Sequence, residues 1–210
     1  MFTMTGNSEN QIYMEKYMRN QFKFLGLKAP ERKAQSKSFI KSSKKAPLNE
    51  VLAEIETLYQ RPFREYQYVA VDIGDANVKR LTFDDIQTLT KYIQIKSWWD
   101  TVDSWRKTFE KYVRLHPEQK ERIFNLFYQH DNFWMRRVAI TLQLLEKETL
   151  DTGLLTKAIE YDIETNAFFI QKAIGWALRN YSKFNPQWVT TFMSEHQLSK
   201  LAVKEGSEYL

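Results

Sequence analysis

Apolar residues spaced three and four apart dominate the chain. Leu48, Val51, Leu52, Ile55 and Leu58 fall on one side of a helix, as do Ile86, Leu89 and Ile93, and Ile123, Leu126 and Phe127. This is the periodicity of amphipathic helices packed on a core. No alternating apolar–polar stretch is bounded by turn signals, so no strand is predicted. Breaks between helices fall at capping residues and prolines. Ser8 is placed to cap a first helix running to about Phe22, with Gly26 stopping it. Pro30, Pro47, Pro62, Pro117 and Pro186 sit where prolines open helices. Further helices are expected from Thr82, after Asp151 and after Ser199. The pattern predicts about eleven or twelve helices in antiparallel pairs, joined by connections of a few residues.

A longer period lies over the short one. Phe63, Trp98, Phe133 and Phe168 are each 35 residues apart, and each leads a helical stretch: PFREYQYVAVDI, SWWDTVDSW, NFWMRRVAITLQLL and AFFIQKAIGWALR. A fixed period of this size marks helix pairs stacked as a solenoid. Counting from the anchors places Tyr68, Asp103, Val138 and Ala173 in one row. Gln67, Val102, Arg137 and Lys172 form a second row, and Val71, Arg106, Thr141 and Trp176 a third. A carboxylate, an arginine and a tryptophan thereby fall on equivalent helices. The anchored helices are expected to line the concave side of the stack, and the helices preceding them the convex side.

Composition narrows the class. The 210 residues are 43% hydrophobic and 15% aromatic, enough for one well-packed domain spanning 1–210. No cysteine occurs, which excludes disulfides and thiolate metal sites. The three histidines, His116, His130 and His196, lack metal-ligand spacing, and there is no Gly-rich phosphate loop. No bound metal or cofactor is expected. The opening MFTMTGNSEN has no leader pattern and no stretch of 18 apolar residues occurs, so a cytoplasmic protein without a membrane partner is expected. The net charge of +5 biases the chain toward an anionic partner. Much of it gathers in residues 28–45, where Lys28, Arg32, Lys33, Lys37, Lys41, Lys44 and Lys45 meet one acid, Glu31. That run reads either as a solvated helix and loop or as a clamp on a phosphate backbone.

The unusual side chains gather on the anchored helices. Trp99 and Asp103 are four apart and share a helix face. If Trp98 packs inward, Trp99 turns toward the side of Asp103. An ordinary structural reading has Trp99 filling a seam and Asp103 paired with Arg106 or Lys107. Arg137 then reads as a solvated arginine, and Trp176 and Tyr17 as packing residues. Lys172 could be an imine-forming nucleophile, a phosphate contact or a solvated lysine. The register favours a shared surface for Asp103, Arg137 and Trp176.

The segments EKYMRNQFKFLG, APERK, IKSWWDTVDSW, NFWMRRVAI and FFIQKAIGWALRNYSKFNP resemble the AlkD-type alkylpurine DNA glycosylases, from about Asn10 to Pro186. The resemblance implies an all-α, right-handed α-α superhelix of HEAT-like repeats with a concave DNA-binding face. It implies excision of positively charged alkylpurines, N7-alkylguanine and N3-alkyladenine, from duplex DNA by a monomer in base excision repair. By motif match the catalytic aspartate falls on Asp103 and the aromatic walls on Trp99 and Trp176. Contacts to DNA fall on Arg137 and Tyr17. Lys28, Arg32, Lys33, Lys172 and Arg179 are further candidate DNA ligands on grounds of charge. Two departures stand out. Sixteen residues precede Tyr17, where the resembled enzymes carry a further helix, and Lys28 and Ala29 precede Pro30, where they tend to place neutral polar residues. A non-catalytic HEAT-like repeat protein that binds damaged or branched DNA is the alternative, and a protein-binding helical scaffold a third.

Overall fold

The computed structural model describes residues 2–210. Among these there are twelve α-helices, several short 3-10 turns and no strand, with one isolated bridge between Lys23 and Phe63. The helices gather into two compact units, one ending at Thr82 and the other running Phe83–Leu210. The first holds α1 (Ser8–Tyr17), α2 (Ala29–Ser43), α3 (Leu48–Gln60) and α4 (Arg64–Asn77). The second holds α5 (Phe83–Leu89), α6 (Trp99–Leu115), α7 (Lys120–Asn125), α8 (Phe133–Thr141), α9 (Thr152–Asp162), α10 (Phe168–Ser182), α11 (Pro186–Glu195) and α12 (Lys200–Gly206).

The all-α expectation holds, and helix starts follow the local chemistry. Asn132, Asp151, Asn185 and Ser199 cap α8, α9, α11 and α12 through side-chain oxygens that accept backbone N–H groups. Pro30 lies in the first turn of α2. Two expectations fail at α1. Asn7, not Ser8, caps it, its side chain accepting from Glu9 N. It stops at Tyr17, well short of Phe22, because Arg19 and Asn20 take left-handed backbone conformations (φ 54° and 57°) that no helix continues through.

In the first unit, Val51, Ile55 and Leu58 of α3 pack with Val69, Ala70 and Ile73 of α4, all buried. The α1–α2 connection is fixed by a single carboxylate. Glu65, fully buried, accepts backbone N–H groups from Leu25, Gly26 and Leu27 at 2.9, 2.9 and 3.0 Å. Gly26 is required in that loop. It has φ +85°, and a Cβ there would meet Asn7 O at 1.9 Å. In the second unit, α8 packs between α6 and α10, and α10 carries α12 on its other side. The core is aromatic at its centre, with Tyr92 stacked on Trp105 and Trp105 on Phe109.

One capping device appears in both units. The amide of Gln67, fourth residue of α4, donates to the carbonyls of Leu58, Tyr59 and Arg61 at the end of α3. Gln171, fourth residue of α10, donates to Asp162, Ile163 and Thr165 at the end of α9. Each satisfies carbonyls that a helix terminus leaves unpaired.

Replacing Glu65 by Gln puts an amide N–H₂ against backbone donors. A loss of about 1–3 kcal/mol in unfolding free energy is expected, measured by denaturant titration.

Candidate active site

The anchor residues sit at the starts of their helices, but not all in the same way. Phe63 and Trp98 are N-caps, whereas Phe133 and Phe168 are first helical residues. The register counted on 35 residues therefore slips by one between α6 and α8. Counted from the first helical residue, the fifth positions of α4, α6, α8 and α10 are Tyr68, Asp103, Arg137 and Lys172. The corrected register puts Asp103 and Arg137, rather than Asp103 and Val138, at the same level on neighbouring helices.

They meet there. Arg137 Nε donates to Asp103 Oδ1 at 2.9 Å and Arg137 Nη2 to Oδ2 at 2.8 Å, a bidentate pair. Arg137 Nη1 donates to the Phe169 carbonyl at 2.6 Å. The pairing of Asp103 with Arg106 or Lys107 that its own helix offers does not occur. The Arg137 side chain is 4% exposed and that of Asp103 is 18% exposed. The guanidinium is thus a buried clamp, and the carboxylate it holds reaches solvent. Arg137 is not the solvated arginine of the ordinary reading. Its three nitrogens are directed at protein groups, not at an open face.

Trp176, the ninth residue of α10, is half-buried. Its ring centre lies 5.9 Å from the Arg137 guanidinium carbon and 5.8 Å from that of Arg106. Trp99 opens α6 one turn before Asp103 and is also half-buried. Trp98 turns inward as expected, 5.9 Å from Trp134 and 5.1 Å edge-on to Phe169. Phe169, whose carbonyl holds Arg137, lies 4.9 Å from Trp134. An aromatic cluster at the starts of α6, α8 and α10 therefore fixes the helices that carry the pair.

Behind this surface lies a second ion pair that sequence reasoning missed. Arg106 Nη1 donates to Glu110 Oε2, one turn along α6, and Glu110 Oε1 accepts the Leu145 backbone N–H. Both side chains are essentially inaccessible, at 2% and 0%. Burial lowers the Arg106 pKa and raises that of Glu110, each opposed by the partner's charge. An i,i+4 charge pair on a helix ordinarily reads as solvated, so nothing in the sequence marked it.

The remaining expected DNA ligands are placed as follows. Lys172 pairs with Glu205 at 2.6 Å, and Arg179 with Glu208 at 2.7 Å, both acids on or just after α12. Their charges are largely answered within the protein. In the first unit, Arg32 is turned inward, over the Tyr68 ring at 4.9 Å and paired with Asp72 at 3.1 Å. Burial raises the Asp72 pKa against the pull of Arg32. Arg32 is therefore a packing cation and not an open phosphate ligand. Lys28 and Lys33 are exposed, and Lys33, Lys37 and Lys41 continue one stripe along α2. Tyr17 ends α1 and is 62% exposed. The described residues contain no group of His, Cys, Asp and Glu able to hold a metal. No helix among them is long and apolar enough to cross a membrane.

The fold and this site define a class: stacked helix pairs carrying a clamped, solvent-reaching carboxylate beside indole rings. The model of the DNA alkylation repair enzyme family matches residues 2–210. A solved structure, described as a predicted DNA alkylation repair enzyme from Enterococcus faecalis, is 50% identical, with a TM-score of 0.99 over 100% of this chain and 99% of that one. No curated protein matches. The chain belongs to the DNA alkylation repair enzyme family.

Glu205 links α12 to α10, and the hydrogen bond from Lys172 holds its pKa below the ordinary 4.5. A depressed carboxylate stabilises the fold above its unfolded pKa and loses that contribution as pH falls through the folded one. Hydrogen-exchange protection across α12 is expected to stay flat above about pH 5 and to drop in acid. Glu205→Gln is expected to abolish that acid step.

Proposed function

We propose that the protein is a monofunctional DNA glycosylase that hydrolyses the N-glycosidic bond of cationic alkylpurines in duplex DNA. The observation that carries this reading is the Asp103 carboxylate, gripped by Arg137 from the buried side while remaining partly exposed. An ionised carboxylate offers about four lone-pair positions. The guanidinium takes one on each oxygen and leaves the others for a reacting group.

Breaking the sugar–base bond builds an oxocarbenium-like cation on the sugar. Glycosidases generally use two carboxylates, one of them to protonate the leaving group. A purine alkylated at N7 or N3 already carries positive charge and departs neutral, so that general acid is dispensable. A single fixed carboxylate stabilises the developing cation and aligns water on it. Arg137 supports this by restricting Asp103 to one orientation, so no reorganisation is needed as charge develops. Trp99 and Trp176 offer π faces to the cationic nucleotide, worth about 0.5–2 kcal/mol each. Trp99 lies one turn before Asp103 on α6, and Trp176, on α10, lies 5.9 Å from the guanidinium that holds Asp103. Duplex DNA is the partner, and the exposed lysines of α2 suit it as phosphate ligands that bind without reading sequence. No metal or cofactor has a part in the reaction as proposed.

Asp103→Asn is expected to reduce release of 7-methylguanine from methylated duplex DNA by about 100-fold or more, while DNA affinity changes little. Wild-type rates in that variant would remove Asp103 from the chemistry. Steeply salt-dependent binding by wild-type protein with no base released would identify the non-excising alternative. Lys33→Ala is expected to flatten the slope of log K against log salt by about 0.9, read by fluorescence anisotropy from 50 to 200 mM salt.

A further inference from the structure

One charged pair with both side chains inaccessible, Arg106 and Glu110, has no part in the proposed mechanism. Arg106 lies one turn beyond Asp103 on α6, faces the Trp176 ring at 5.8 Å, and ends in a carboxylate as inaccessible as itself. Its Nε has no hydrogen-bond partner among the described residues. Stability alone does not require such a pair, since well-packed apolar side chains of similar volume serve as well or better. Its placement suggests an electrostatic role. Trp176 has two guanidiniums near its ring, those of Arg106 and Arg137. Asp103 answers the charge of Arg137, and Glu110 is the carboxylate hydrogen-bonded to Arg106. The four groups sum to zero. Without Glu110, a buried positive charge would stand on the inner side of the indole that receives a cation.

We propose that Glu110 is a positioning residue for excision: its buried carboxylate cancels the charge of Arg106 behind Trp176, so that the surface shared by Asp103 and Trp176 attracts a cationic nucleotide. This inference rests on the glycosylase reading of Asp103. Glu110 touches neither DNA nor the reacting sugar. It acts through Arg106, and its link to the Leu145 N–H ties that balance to the segment following α8.

The probe is a pair of duplexes identical except at one position, which holds either a neutral tetrahydrofuran site or a cationic pyrrolidine. The ratio of their dissociation constants isolates the preference for positive charge at the sugar. Wild-type protein is expected to prefer the pyrrolidine, and Glu110→Gln to cut that ratio by about tenfold. Glu110→Asp keeps the charge but shortens the contact. R106M/E110Q removes both charges together while leaving an amide oxygen for Leu145 N–H. Both are expected to hold the ratio within about twofold of wild type, which a purely structural ion pair would not allow. Should Glu110→Gln fail to fold, these two variants carry the test, and loss of the ratio in either overturns the proposal. An unchanged ratio in folded Glu110→Gln also overturns it while leaving the role of Asp103 intact. A wild-type ratio near one would instead sink the glycosylase reading itself.

Discussion

The bidentate contact between Arg137 and Asp103 organises the second unit. It joins the middle of α8 to α6, and through the Phe169 carbonyl the same guanidinium reaches α10. The helices α6, α8 and α10 are thus tied by one side chain whose charge is buried. The cost of burying it is met because each of its three nitrogens has an acceptor at 2.6–2.9 Å. The carboxylate is anchored by its protein side and open on the other. That asymmetry is possible because the two residues occupy the same level of neighbouring helices.

A scaffold of short helices multiplies the ends whose backbone groups need partners, and much of this chain's buried polarity serves them. Gln67 and Gln171 close the carboxyl ends of α3 and α9. Glu65 gathers three N–H groups of a loop that has no secondary structure of its own. Gln143 and Asp151 exchange side-chain and backbone hydrogen bonds ahead of α9. These contacts fix where each helix begins, and hence the level at which each fifth residue sits.

The fold was readable because its signals are local. Prolines, caps and three–four apolar spacing mark helix starts, and all four aromatic anchors do lie at such starts. The end of α1 was not readable, since Arg19 and Asn20 adopt a conformation usually signalled by glycine. The one-residue slip at α8 was hidden for a related reason. Asn132 caps that helix directly before Phe133, so the aromatic has a different place from Trp98 in α6. At the site, Asp103, Trp99, Trp176 and Arg137 were marked by motif, and the 35-residue register set Asp103 level with Val138 instead of Arg137. What Arg137 holds became visible only in three dimensions. Arg32 and the Arg106–Glu110 pair show the limit most sharply, because charged side chains on helices give no sequence sign of being inside.

The seating of α12 sets a condition on the helix that carries Trp176. Gly175, its immediate neighbour, lies so close to α12 that a Cβ would meet that of Glu205 at 2.5 Å and the Ala202 carbonyl at 3.0 Å. Gly206 faces Leu178 less tightly, where a Cβ would meet that of Leu178 at 3.2 Å. With no methyl between them, the two helices approach closely at this point. Load applied to α12 would pass through this glycine contact into α10 at the residue next to Trp176.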